Sequence, residues 1–165
     1  MIARYTSLAV FLLLVTLTYL TGSGFEAGEW YFFIMQHPSW WPSGWFFVAA
    51  WTLVYLAMAL AAWNAWLTGH YSRTGTLAWW VLLLVLSVCW FVVFYGLHRP
   101  GYAMLVLSVM AGFSLFCIRA FGKLSRQAAY LMVPYLLWVI CLWVLNLVIW
   151  SVNGGILEHL FKESS

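Results

Sequence analysis

The sequence contains no aspartate, only four glutamates, seven lysines or arginines and four histidines in 165 residues. Charged residues make up 7% of the chain against 66% hydrophobic ones, and the mean hydropathy is +0.95. A water-soluble globule cannot hide that much apolar surface, so the solvent of this chain is lipid. The poverty in charge also removes whole classes of chemistry. Without paired carboxylates in its apolar runs, a Gly-rich phosphate loop or a Ser/His/Asp arrangement, the chain lacks the groups of hydrolysis and phosphoryl transfer. A coupled pump places ionisable residues within the membrane, and here none but tyrosine and cysteine lies there. Cys89, Cys117 and Cys141 form no C-x-x-C pair, which leaves them as small packing residues rather than a zinc site or disulfide framework. His37, His70, His98 and His159 share no i, i+3 or i+4 spacing. Metal or haem ligation by a pair of them is therefore not expected, and a single axial ligand stays open.

The same scarcity locates the spans. Residues 5–25, 38–69, 74–97, 100–118 and 127–157 contain no Asp, Glu, Lys or Arg. Each reaches the roughly 20 residues a helix needs to cross a hydrocarbon core. Transmembrane strands would alternate over about 10 residues, and runs such as Val81–Leu86 and Leu136–Leu145 do not. The expected fold class is an all-α integral membrane bundle of five transmembrane helices. It forms one domain over residues 1–165, with helices near 5–25, 43–68, 75–97, 101–121 and 128–152 and a long first loop at 26–42. Arg4 followed by Leu8–Leu20 also fits a secretory signal peptide, but Thr21-Gly22-Ser23-Gly24 is no A-x-A site, and the segment is expected to stay as a helix. With five spans, Arg4, Arg73, Arg119, Lys123 and Arg126 share one side, against Arg99 and Lys162 on the other. The positive-inside rule then puts the N-terminus in the cytoplasm. The net charge of +3 reads as a topology signal, and no nucleic-acid partner is expected.

What the chain has in abundance is aromatic surface: 21% Phe, Trp and Tyr, with 13 tryptophans. Interfacial belts account for many, including Trp30, Trp40, Trp41, Trp45, Trp63, Trp66, Trp79, Trp80 and Trp150 near span ends. Trp51, Trp90, Trp138 and Trp143 lie deeper, and Tyr55 follows Trp51 on the same helix face at i+4. They describe either an apolar pocket for a large planar ligand or plain packing. Few polar groups enter the spans: Asn64, Ser87, Ser108, Ser114 and Asn146 each require a partner in a dry medium. Ser108 and Gly112 form a small-xxx-small pair, the pattern of a homodimer contact or of close packing.

The order of these residues resembles a known family. Glu29-Trp30-Tyr31, then His37-Pro38-Ser39-Trp40-Trp41-Pro42-Ser43-Gly44-Trp45, then Trp51 and Tyr55 are similar to the W-Y…K-P-x-W-x-P-P-x-W…W-x-x-x-Y signature of the translocator protein, or tryptophan-rich sensory protein, family. The likeness continues through Trp90, Phe94-Tyr95-Gly96, Arg99, Val133-Pro134-Tyr135-Leu136-Leu137-Trp138 and Leu145-Asn146, in order across nearly the whole chain.

The resemblance implies a five-helix bundle whose pocket lies beneath the first loop and takes porphyrins, protoporphyrin IX or haem, with no cofactor required. Its tryptophans fall on Trp51, Trp90 and Trp138, with Tyr102 where many members carry another Trp. His37 stands where Lys is usual, and Ser87 where many members carry Asn. Loss of that amide weighs against tight binding of isoquinoline drugs. The sterol-recognition stretch of animal members reads Leu145-Asn146-Leu147-Val148-Ile149-Trp150-Ser151 and lacks both its Tyr and its Arg, so sterol transport is not expected. Three functions compete: a porphyrin-binding sensor or regulator, an enzyme-like photochemical breakdown of porphyrin, and a structural or translocating membrane partner holding lipid. A bacterial inner membrane is the expected location.

Overall fold

The computed structural model describes residues 2–25, 28 and 30–154, with side chains from Tyr5 onward. Glu26, Glu29, His159, Lys162, the side chain of Arg4 and the polar tail after Gly154 lie outside the described residues. Five helices run along the chain: α1 (Ile2–Ser23), α2 (Gly44–Leu67), α3 (Arg73–Phe91), α4 (Pro100–Gly122) and α5 (Arg126–Val152). Each holds a segment long and apolar enough to cross a membrane. Among the described residues there is no strand, as expected where lipid offers no partner for backbone groups.

Neighbouring helices pack in the cyclic order α1, α2, α5, α4, α3, with α3 also touching α2 across the ring. Helix ends are set by local chemistry. Ser125 caps α5 by accepting from the Ala128 amide at 3.3 Å, and donates to Asn64 Oδ1 at 2.7 Å. Asn64 in turn donates to Gln127 at 3.2 Å, so one amide ties the end of α2 to the start of α5. Pro100 opens α4, where a missing N–H costs nothing. Before it, His98 takes a φ of 55°, the left-handed conformation that turns the chain from α3 into α4.

The third span reaches Gly96, close to the end its apolar run implies, but its last turn is not α-helical. After Phe91 the chain forms a π-helical turn, Val92–Gly96, closed by the Leu97 amide donating to the Val92 carbonyl at 2.8 Å. The wider turn inserts one residue per repeat and re-aims the side chains that follow. A second such turn, Trp30–Ile34, lies in the first loop and is closed by Met35 N–H to Trp30 O at 2.8 Å.

The aromatic belt is partly as anticipated. Trp45 and Tyr130 stand exposed near helix ends, and Tyr71 in the turn between α2 and α3. Trp80 does not belong to it: it is fully buried and meets Phe11 edge-on at 5.7 Å. It lies on the same face as Leu77, Leu83, Leu84 and Ser87, the inward stripe of α3, and helical phase overrides nearness to the span end. Ser108 and Gly112 lie on the exposed face of α4; Ser108 accepts from Trp143 Nε1 at 3.1 Å, and the space beside Gly112 is empty.

Helices α1 and α3 approach closely at Gly22, where an added Cβ would sit 2.5 Å from the Phe91 ring. That ring is buried and cannot swing into open space. Gly22→Ala is therefore expected to cost about 1–3 kcal/mol through overpacking, read as a lowered thermal midpoint in detergent. The smaller side chain of Phe91→Leu in the same variant should recover most of it.

Candidate functional site

The site is built at the end of the bundle where α1 leaves, α2 enters, α3 and α4 meet, and α5 ends. Trp51 of α2 is its pivot. Its ring stacks on Tyr55 at 5.0 Å, lies 6.0 Å from Trp90 of α3 and 5.2 Å from Phe91, and meets Trp138 of α5 edge-on at 5.8 Å. Trp90 stacks on Phe94, four residues on, at 5.4 Å with the planes 21° apart. Indoles from three helices thus converge, as the deep placement of Trp51, Trp90 and Trp138 in their spans implies.

Above them lies a narrow cleft lined by Tyr31, Trp41, Phe47, Trp90, Phe94, Tyr95, Leu142, Leu145 and Asn146. Only about 20 Å³ of it admits a water-sized sphere, so the rings are close to mutual contact. Trp51 and Trp138 form the layer beneath, Trp138 reaching the cavity wall through Phe47 at 6.0 Å. Four polar atoms around this cluster are buried with no hydrogen bond: Trp90 Nε1, Trp138 Nε1, the Tyr55 hydroxyl and Asn146 Oδ1. The Asn146 amide nitrogen does have a partner, the Pro100 carbonyl at 3.2 Å, which joins α5 to α4. Native proteins leave few buried polar groups unmade; outside this cluster Trp80 Nε1, Trp150 Nε1 and His37 Nε2 are unmade as well.

The first loop roofs the cavity. Trp41 Nε1 donates to the Tyr31 hydroxyl at 3.0 Å, and Trp41 N–H donates to the Pro38 carbonyl at 3.0 Å. His37 sits between Tyr31 and Trp41, 4.7 and 5.1 Å from their rings. Pro42 is half-buried and precedes the α2 cap Ser43, whereas Trp40 points outward and is 60% exposed. Two fastenings hold the roof down. Trp30 stacks on His98 at 4.5 Å. At the far end the Asn153 side chain accepts from the Gln36 amide at 2.9 Å and donates to the Gln36 carbonyl at 3.1 Å, copying a strand pairing.

The remaining anticipated residues fall elsewhere. Ser87 donates to the Leu83 carbonyl at 3.1 Å and pairs with the Tyr135 hydroxyl at 2.7 Å, beneath the cluster. Tyr55 lies beside Ser87 but outside hydrogen-bonding geometry. Tyr102 is apart from the cavity, 58% exposed, because Ala103, Leu107 and Met110 form the inward stripe of α4 and position 102 is rotated off it. Tyr135 was not singled out from the sequence. It is fully buried and occupies the partner that Ser87 needs. Its position at i−3 from Trp138, on the same face, is the signal that could have found it. The Asn153–Gln36 clasp, across 117 residues, has no local sequence signal.

Burial raises the Tyr31 phenol above its ordinary range, against the opposing hydrogen bond from Trp41. Burial lowers the His37 imidazole, against a hydrogen bond with the Met35 backbone, and His37 Nε2 has no partner. The closed roof thus favours neutral imidazole. Its contribution is fully present above the ordinary value near 6.5 and is lost as pH falls through the lower value of the folded state. The indole N–H resonance of Trp41 is expected to broaden or shift on acidification below about pH 6.5, and His37→Phe should remove that dependence. Asn153→Ala removes two hydrogen bonds from the roof, each worth about 1 kcal/mol net, so amide exchange in residues 30–41 should quicken about thirtyfold while the five helices keep their protection.

Comparison with known proteins gives this arrangement its relatives. The profile of the TspO/MBR family matches residues 7–151. Protein CrtK of Rhodobacter capsulatus is 32% identical over 156 residues, covering 91% of this chain and 94% of its own. A tryptophan-rich sensory protein of Cereibacter sphaeroides is 35% identical over 119 residues, covering 72% of this chain and 73% of its own. The human translocator protein is 31% identical over 151 residues, covering 88% and 89%. With five membrane-crossing helices, and an aromatic cavity under a Trp-rich first loop, this multi-pass integral membrane protein belongs to the TspO/MBR family.

Proposed function

We propose that the protein is a membrane-embedded receptor that senses a porphyrin, bound among the indoles beneath the first loop. It acts in a bacterial inner membrane with its N-terminus in the cytoplasm. The observation that carries this reading is the set of unpartnered groups at the aromatic cavity, Trp90 Nε1 and Asn146 Oδ1 in its walls and Trp138 Nε1 in the layer beneath. A large planar ligand gains affinity by stacking there, and its few polar atoms supply the missing bonds. Arg99 is the basic residue that the described chain brings to this end, suited to an acidic substituent left at the mouth. The sensory and translocator names of the relatives support a receptor role.

Binding requires movement. Pockets for drug-sized ligands hold roughly 300–1,000 Å³, more than the closed cavity offers. The roof lifts and the Trp90–Phe94 stack parts to admit a porphyrin, and the loop re-seats over its edge.

The chain of indoles from Trp90 through Trp51 to Trp138, each step 6.0 Å or less between ring centres, favours one second reading: light-driven breakdown of the bound porphyrin.

Protoporphyrin IX titrated into the purified protein should quench tryptophan fluorescence saturably. Trp90→Phe and Trp138→Phe should each weaken the apparent affinity about tenfold, the worth of one lost hydrogen bond and part of a stacking surface. Quenching no stronger than that of an unrelated membrane protein would refute porphyrin binding. Loss of the porphyrin spectrum in light alone, dependent on Trp138, would select the photochemical reading.

A further inference from the structure

The end of the bundle opposite the loop carries positive charge with nothing of its own to neutralise it. Glu26 and Glu29 belong to the first loop and Glu158 and Glu163 follow α5, so no glutamate lies in the segments that join α2 to α3 or α4 to α5. Arg73 is held there by a neighbour, donating to the Trp66 carbonyl at 3.0 Å with its guanidinium 4.1 Å above the Trp66 ring. Arg119 and Lys123 are not held. Both are exposed, and among the described residues neither side chain has a hydrogen bond, ion pair or ring contact. They stand four residues apart, in the last turn of α4 and at its cap, where Lys123 keeps a helical backbone, so they project from one face.

That face continues toward the membrane as an aromatic shelf. Phe116, 46% exposed, precedes Arg119 by three residues on the same stripe of α4. Trp79 of α3, 43% exposed, meets Phe116 edge-on at 5.6 Å and lies 5.7 Å from Phe113. Phe116 lies six residues before Gly122, the end of α4, and Trp79 six after Arg73, the start of α3. Both rings therefore sit about 9 Å in from the helix ends. The polar interface of a bilayer is roughly 5–7 Å deep on each side, which puts the rings at the top of the hydrocarbon. The flexible stems of Arg119 and Lys123 carry their charges outward to the phosphate level. Orienting the chain in the membrane needs the charges alone, not exposed rings from two helices beside them. A soluble acidic partner would likewise leave the rings unused. We infer that this α3–α4 face binds one phospholipid with an anionic headgroup, its phosphate held by Arg119 and Lys123 and an acyl chain laid across Trp79 and Phe116.

This site is remote from the aromatic cavity and stands or falls separately from porphyrin binding. Native mass spectrometry of the detergent-purified protein, titrated with phosphatidylglycerol or with phosphatidylcholine of the same acyl chains, tests it. The first phosphatidylglycerol is expected to bind about tenfold more tightly than phosphatidylcholine, the equivalent of one charge-assisted hydrogen bond. Arg119→Gln and Lys123→Gln should each remove most of that preference, whereas Arg126→Gln, which takes the same charge from the start of α5, should leave it unchanged. Trp79→Ala should weaken phosphatidylglycerol binding about threefold through the lost ring surface. Thermal midpoints near wild type identify folded variants; should Trp79→Ala fail to fold, Phe116→Ala takes its place. Inorganic phosphate and hexaglutamate, which carry charge without an acyl chain, should not displace the lipid. Equal binding of the two lipids, equal loss in Arg119→Gln and Arg126→Gln, indifference to the ring variants, or displacement by phosphate or hexaglutamate would each overturn the assignment.

Discussion

The edge-to-face contact of Trp51 with Trp138, together with the tilted contact of Trp51 with Trp90, joins the three helices that carry the candidate site. In lipid, apolar burial does not drive helices together, so close packing and specific contacts must. Indoles are well suited, since each offers a broad face, a positive edge and one donor. Because these three donate to nothing or lie against one another, the centre of the bundle is adhesive without being saturated. Trp51 thus sits where α2, α3 and α5 meet, in the layer beneath the cavity.

The polar fastenings are distributed differently. At the end opposite the loop, Asn64, Ser125 and Gln127 tie α2 to α5. Ser87 and Tyr135 pair in the middle, and Asn146 reaches the Pro100 carbonyl toward the loop end. Each joins elements distant in the chain, which suits bonds made in a medium without competing water. Near the cavity Trp90 Nε1, Trp138 Nε1 and Asn146 Oδ1 lack a hydrogen bond, as does Trp80 Nε1 on the α1 side of the bundle.

Much of the fold was legible because the membrane makes the sequence nearly binary. Gaps in charge gave five spans and their approximate ends, and the phase of Trp51 with Tyr55 gave an inward face. What failed did so where tertiary phase or backbone irregularity decides. Trp80 sits near a span end yet points inward, and Tyr102 occupies a plausible position yet points outward. The π-helical turn at Val92–Gly96 has no signature in a run of apolar residues. The partner of Ser87 was hidden because Tyr135 lies 48 residues away, and hydrogen bonds across the bundle leave no periodic trace.

The clasp between Asn153 and Gln36 bears on biosynthesis. Gln36 is made early, in the loop after the first helix, and waits until the end of the fifth helix has been inserted before its backbone finds its partner. Until then the nascent chain holds an aromatic loop with one of its two fastenings missing. The roof over the cavity can therefore close fully only on a chain that has completed its last transmembrane helix, which makes closure a structural record of complete insertion.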